Sequence, residues 1–206
     1  MLNKKIVGVT GGIGSGKTFV CRILEAMGYP VFYSDRVAKQ ILITKKSVKE
    51  KIISVFGALA YLETGELNKP YLSKQIFSNK KLLEQMNSIV HPIVKKEFEQ
   101  WICQQNASII FYESAILFES NSYKNFDKII LITASKQTKI KRLLKRDNST
   151  IEAIEKRMNN QWADEKKIPL ADYIIVNDEN SMILEQVNEV LKNLLLIVNH
   201  KKNTAR

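Results

Sequence analysis

The sequence has no long apolar run. Its longest candidate, "LLLIV" at 194–198, is five residues, against the roughly 18 that a membrane-spanning helix needs. The opening "MLNKKIVGVT" passes straight into a strand-like run, without the sections of a secretory leader. The expectation is a cytosolic protein with no membrane partner. Cysteine is scarce: Cys21 and Cys103 stand apart and form no C-x-x-C pair. This excludes a disulfide framework and a cysteine zinc site. Both thiols are read as small, buried apolar residues in a reducing compartment. With four prolines, no repeats and no Pro/Gly-rich linker, the chain offers no seam between separate domains. Its 206 residues suffice for one domain with a real core, with room for lobes inserted into it.

What the chain does carry is positive charge. The net charge is +11, on an ordinary globular background of 45% hydrophobic and 26% charged residues. Such an excess suits an anionic partner: a nucleic acid, a phosphorylated metabolite or a membrane surface. The glycines are few but clustered. Of eight in the chain, four fall in the six positions 11 to 16, directly after an apolar run. Glycine there costs conformational entropy and packs nothing, so bare backbone must be needed at that place.

The periodicity is that of an α/β protein. "KIVGVT" at 5–10 reads as a buried strand, followed by helical spacing of Phe19, Val20, Ile23, Leu24 and Met27 with Gly28 as the stop. "PVFYSD" at 30–35 reads as a second short strand ending on Asp35. From about 37 to 106 the signal is helical, with faces at Val48, Ile52, Ile53 and Phe56, at 71–77, and from Leu82 to Trp101. Pro92 lies inside the last of these and is expected to kink or split it. "SIIFYES" at 108–114, "KIILIT" at 128–133 and "DYIIVN" at 172–177 are further strands. "KQTKIKRLLKRD" at 136–147 is a basic helix, and a helix with Ile183, Leu184, Val187, Val190, Leu191, Leu194 and Leu195 closes the chain. Five apolar strands alternating with helices imply a parallel sheet covered on both faces.

The glycine cluster reads Gly11-Gly12-Ile13-Gly14-Ser15-Gly16-Lys17-Thr18, which is G-x-x-x-x-G-K-[ST] with a strand before it and a helix after it. Glycines let successive N–H groups turn inward around phosphate oxygens, and the helix N-terminus adds partial positive charge. Lys17 suits the β- and γ-phosphates and Thr18 suits Mg²⁺. The expected ligand is a nucleoside triphosphate, ATP, with Mg²⁺. A GTPase would carry Asn-Lys-x-Asp, whereas the loop after the last strand reads "NDENS". The plan of a small-molecule kinase fits best.

Further motifs follow in order: "TGGIGSGKT" at 10–18, "YSDRVAKQI" at 33–41, "GELNKPYLSKQIF" at 65–77, "HP" at 91–92, "SAILFE" at 114–119, "KRLLKR" at 141–146, "RMNNQ" at 157–161 and "ADYIIVN" at 171–177. As an ordered set they resemble the dephospho-coenzyme A kinase family. The resemblance implies a P-loop NTPase fold, with a core at about 1–37, 107–136 and 169–206. It also implies a helical acceptor lobe at about 38–106 and a lid at about 137–168. The implied reaction moves the γ-phosphoryl of ATP to the ribose 3′-hydroxyl of dephospho-coenzyme A, with dephospho-coenzyme A as the small-molecule substrate and no nucleic acid as partner.

Roles follow residue by residue. Asp35, at the carboxyl end of the second strand, is the candidate base; a helix N-cap is its plainer reading. Glu113, at the end of the third strand, suits a Mg²⁺-bound water or the acceptor, and Glu119 follows it. The resemblance turns His91 toward the acceptor nucleotide. Lys69 stands where the family usually has Arg and lacks the planar guanidinium fork. From 136 to 167 there are ten Lys/Arg against five Asp/Glu. Within this stretch Arg142 and Arg146 share a helical face, and one of them, Arg142 first, suits stacking on adenine. Arg157, with Gln161 four residues on, suits the transferring charge. Asn177 ends the last strand, where its amide suits adenine. Two other readings stay open: a nucleoside monophosphate or shikimate kinase, and a basic ATP-dependent nucleic-acid-binding protein.

Overall fold

The computed structural model describes residues 4–147 and 149–203, with the side chains at 77, 78, 80 and 199–203 outside the description. The Phe77 end of the face expected at 71–77 therefore lies outside the described residues. The chain divides into two compact units, one formed by Met1–Tyr33 with Asn106–Arg206 and the other by Ser34–Gln105.

The first unit is built on five parallel strands, β1 (Lys5–Thr10), β2 (Val31–Tyr33), β3 (Ile109–Glu113), β4 (Lys128–Thr133) and β5 (Tyr173–Val176), in the order β2-β3-β1-β4-β5. The central strands are buried on both faces, as their unbroken apolar runs require. Ile109, Ile110 and Phe111 are all sealed from solvent, as are Val7, Val9, Leu131 and Ile132. The side-chain period of two sorts them into layers. Val7, Val9, Ile109, Phe111, Ile130 and Ile132 meet Val20, Cys21 and Leu24 of α1 (Lys17–Ala26) and Val187, Leu191 and Leu194 of the last helix, Ile183–Asn203. Ile129 and Leu131 face the opposite way, against Leu117, Phe118, Tyr123, Phe126 and Trp162. Because every pairing is parallel, Tyr33, Glu113, Thr10, Thr133 and Val176 all finish at one edge of the sheet. In such sheets ligands bind beyond this carboxyl edge.

The strand at 30–35 proves shorter than expected. β2 stops at Tyr33, and Ser34 and Asp35 already belong to α2 (Ser34–Thr44). Asp35 therefore sits in the first turn of a helix rather than on a strand end. An acidic group there is favoured by the unpaired N–H groups. The helical signal expected from about 37 thus begins earlier, at Ser34.

The second unit comprises α2, α3 (Lys46–Phe56), a 3-10 turn at Ala58–Ala60, α4 (Lys69–Ser78) and α5 (Lys80–Cys103). Ile41, Val48, Ile52, Phe56, Leu72, Met86, Val90 and Val94 form its interior. Two tyrosines close helix ends whose carbonyls lack helical donors: Tyr61 Oη donates to the Leu42 carbonyl and Tyr71 Oη to that of Phe56, both at 2.7 Å. Pro92 does not split α5, which runs through it for 24 residues. The ring sits on an exposed position, and Ser88, whose carbonyl has no N–H to accept from at Pro92, is exposed as well.

Two other expectations change. Cys21 is buried as expected, but Cys103 is exposed, being the last residue of α5. Phe19 and Leu184, counted into helical faces by spacing, are 55% exposed. Within the helical lid expected at about 137–168, the basic helix α6 (Lys136–Asp147) is followed by two short helices that periodicity does not place individually, α7 at Ile151–Met158 and α8 at Asp164–Lys167. The closing helix is α9. Among the described residues, no helix is long and apolar enough to cross a membrane.

Candidate active site

The loop Gly11–Gly16 leaves the central strand β1 and delivers the chain into α1 at Lys17. Its glycines are required by contact. Gly16 caps α1 in the left-handed region, with φ +91°, and a β-carbon there would stand 2.0 Å from Nδ2 of Asn177. One at Gly11 would stand 2.3 Å from the carbonyl oxygen of Ile132 in β4. At these two positions the loop is pressed against the end of β4 and against Asn177, with no room for a side chain. Lys17 Nζ donates back to the Gly11 carbonyl at 2.8 Å. Thr18 is exposed in the first turn of α1.

Asn177, one residue beyond β5 and 5% exposed, is joined to this loop at both polar ends. Its Nδ2 donates to the Ser15 carbonyl at 2.8 Å, and its Oδ1 accepts from Arg142 Nη2 at 3.1 Å. Arg142, from α6, also reaches the carbonyls of Gly14 and Ser15, each at 3.4 Å. The amide expected to read adenine is therefore engaged within the protein as a strut of the loop. Asp178 fixes the next position: it accepts from the Ser135 N–H at 3.0 Å, and this bond with the Thr138 hydroxyl holds its carboxyl below the usual range.

Glu113 ends β3, directly opposite Val9 of β1, and is buried with its neighbour Ser114. Its charge is felt beneath the loop. Burial pushes the Cys21 thiol far up, the Glu113 carboxylate adds to that rise, and Lys17 opposes it.

The basic stretch separates into distinct roles. Arg142 and Arg146 are one turn apart but have different partners. Arg146 holds Asp147 at 2.6 Å, and Arg157 of α7 donates to the other oxygen of the same carboxylate, also at 2.6 Å. These two guanidinium groups hold the Asp147 carboxyl well below the usual carboxylate range. In this arrangement the guanidinium of Arg157, expected to meet transferring charge, is paired. Lys139, counted in the sequence only toward the basic excess, is buried and pairs with Asp164 at 2.5 Å. Lys167 is fully buried, 2.8 Å from Glu119 Oε1 without hydrogen-bond alignment. Glu119 also accepts from the Trp162 N–H at 2.9 Å. Gln161, noted in the sequence only for its spacing from Arg157, accepts from the Ile13 N–H at 2.7 Å. Nothing in the sequence marked Lys139 and Lys167 as buried or Gln161 as half-buried, because their partners come from distant segments.

Asp35, Lys69 and His91 belong to the second unit. Asp35 is partly buried near the start of α2. Lys69 is exposed as the first residue of α4, behind the Asn68 cap, whose Oδ1 accepts from the Tyr71 N–H at 3.2 Å. His91 lies one residue before Pro92 on α5, and desolvation lowers its pKa, favouring the neutral ring.

The donor set suits phosphate chemistry: a glycine loop, a helix N-terminus, a lysine on the loop, and a buried carboxylate on the adjacent strand. Among the described residues, no group of three or more His, Cys, Asp or Glu could hold a metal on its own. The comparisons with known proteins agree with this chemistry. The family model described as dephospho-CoA kinase matches residues 5–182. The dephospho-CoA kinase of Bacteroides fragilis is 36% identical over 186 residues, covering 90% of each chain. A crystal structure from Thermus thermophilus superposes with a TM-score of 0.82 at 26% identity, covering 94% of this chain and 97% of its own. The dephospho-CoA kinase from Campylobacter jejuni gives 0.65 at 28% identity, covering 93% and 97%. The chain belongs to the dephospho-CoA kinase family.

Proposed function

We propose that the protein transfers the γ-phosphoryl group of ATP to the ribose 3′-hydroxyl of dephospho-coenzyme A. The observation that carries this reading is the Gly11–Thr18 loop, curled at the end of the central strand and opening directly into α1. Its backbone and the first turn of α1 present N–H groups to polyphosphate, and Lys17 neutralises charge on the outer phosphates. Family membership supplies the acceptor.

Phosphoryl transfer asks little covalent chemistry of a protein; it asks for alignment, charge neutralisation and a place for one proton. Asp35 is the group proposed to take the hydroxyl proton. It lies in the first turn of α2, where the helix N-terminus suits an acidic group. Lys69 and His91, from the second unit, are proposed to face the acceptor; Lys69 would do so as a point charge. Arg142 and Asn177 shape the nucleotide loop, and Arg157 meets the phosphates once released from Asp147.

Mg²⁺ is proposed as the accompanying ion. The Thr18 hydroxyl, in the first turn of α1, and the Glu113 carboxylate, at the end of β3, are hard oxygen donors. Two such groups, with the remaining positions left to water and phosphate, match what Mg²⁺ takes from a protein. When bound, the ion supplies charge neutralisation between the β- and γ-phosphates.

The test is a coupled ADP-release assay offering dephospho-coenzyme A, AMP and shikimate as acceptors. Turnover dependent on dephospho-coenzyme A is expected. Strong phosphorylation of AMP or shikimate, with none of dephospho-coenzyme A, would refute the reading. Tight, salt-sensitive binding of RNA or DNA without turnover would favour the nucleic-acid alternative.

A further inference from the structure

Gln161 lies between α7 and α8 and reaches two loops at once. Its Oε1 accepts from the Ile13 N–H at 2.7 Å, and its Nε2 donates to the Ala115 carbonyl at 3.4 Å. These loops follow β1 and β3, which are neighbours in the sheet. The first leads into Lys17 and Thr18. The second begins two residues after Glu113. One side-chain amide therefore spans the two loops that carry the phosphate-binding groups and the strand-end carboxylate.

The segment that presents Gln161 is itself anchored. The Gln161 N–H bonds the Met158 carbonyl at 3.0 Å and the Trp162 N–H bonds Glu119 at 2.9 Å. Asp164 pairs with buried Lys139 at 2.5 Å, and Lys166 lies over the Trp162 ring at 3.8 Å. A β-carbon at Gly12 would fall 3.4 Å from Lys139 Nζ, 3.6 Å from Asp164 Oδ1 and 3.8 Å from Gln161 Oε1. Three polar ends thus converge on the Gly12–Ile13 peptide, and Gln161 makes the bond to its N–H.

From this bridge we propose that Gln161 is a positioning residue for phosphoryl transfer. It acts through Ile13 and Ala115, setting the phosphate loop against the end of β3. The inference rests on the kinase reading of the same site. A side-chain amide suits the task because it offers an acceptor and a donor on one rigid plane. Misplacing reacting groups by about 1 Å costs on the order of 10²-fold in rate, whereas the overall hold on a polyphosphate, spread over many N–H groups, changes little.

The test compares wild type with Gln161→Met, which keeps the volume and removes both bonds, and with Gln161→Ala as a second variant. The readouts are kcat, KM for ATP, melting temperature and amide hydrogen exchange of the segment 10–16. The expected result is a kcat about 10- to 100-fold lower, with KM for ATP nearly unchanged, a modest fall in melting temperature from the unpaired Ile13 N–H and faster exchange in that segment. A kcat within twofold of wild type in a folded variant overturns the proposal. So does a raised KM with normal kcat, which marks a simple binding contact, or a fall in kcat with unaltered exchange. Failure of wild type to phosphorylate dephospho-coenzyme A would instead sink the kinase reading. The bridge would then stand or fall on the exchange data alone.

Discussion

Replacing Asn177 with alanine should weaken both the fold and the grip on ATP, by amounts that the loop geometry allows to be worked out. The residue is 5% exposed, so water does not readily replace it. Its loss strips the Ser15 carbonyl of a donor at 2.8 Å and Arg142 of an acceptor at 3.1 Å. A buried group left unpaired costs about 1–3 kcal/mol. Arg142, still 3.4 Å from the Gly14 and Ser15 carbonyls, can offset part of that. The net expectation is about 2 kcal/mol, or a fall of roughly 4–8 °C in melting temperature at this chain length. The freed peptide is the one that opens α1. If ATP must restore it on binding at about 1.4 kcal/mol, affinity falls about tenfold. Calorimetric titration of ATP alongside thermal melting measures both. Asn177→Asp separates the two bonds: it keeps an acceptor for Arg142 but has no donor for Ser15, so stability should partly return while ATP affinity should not. A lowered melting temperature with wild-type ATP affinity in Asn177→Ala would refute the reasoning and leave Asn177 as scaffold only.

The other expectations are briefer. Asp35→Asn should keep ATP affinity and lose most turnover; normal turnover removes Asp35 as the base. Lys17→Ala should cut kcat sharply with the protein still folded, and an unaffected rate would mean that the loop is not catalytic. Lys167→Met strands the Glu119 carboxylate in a buried setting and should destabilise by about 3–5 kcal/mol, with Glu119→Gln in the same chain recovering part of the loss in urea titrations. Asp147 has its folded pKa depressed by Arg146 and Arg157. Its pairing therefore contributes fully above the unfolded value near 3.9 and fades only as pH falls toward the depressed value. The difference in melting temperature between wild type and Asp147→Asn should stay flat from pH 5 to 9 and shrink below about pH 4. A difference that changes between pH 6 and 8 would contradict the assignment.

Strands and the phosphate loop were legible in the sequence because their causes are local. β4 and α6 match their expected spans of 128–133 and 136–147 residue for residue. The run Ile129–Ile132 is unbroken and apolar, bounded by Lys128 and Thr133. The ends of β2 and β5 were less legible: Asp35 and Asn177 look like strand ends by pattern, but turn and helix chemistry claims them. Pro92 misled because its cost depends on which way the ring faces, and spacing alone did not settle that. Fold class came from alternation of periods, whereas the contacts that shape the site came from none. Gln161 meets Ile13 across 148 positions and Asn177 meets Ser15 across 162, distances over which sequence patterning carries no signal.

The same reasoning explains why the basic stretch resisted reading. Its excess of Lys and Arg gave no sign of burial. Yet what packs over the glycines of the Gly11–Gly16 loop meets exposed peptide, and peptide buried against apolar groups would be left unpaired. Polar side chains must therefore do the covering. Arg142 takes loop carbonyls and Gln161 takes a loop N–H. The charges that come along, Lys139 and Lys167, are neutralised by Asp164 and Glu119. Buried pairs of this kind add little net stability, because desolvation cancels most of the attraction. What they impose is geometry, since each charge tolerates few other positions. A loop that must hold polyphosphate in one arrangement gains more from that constraint than from a tighter apolar core.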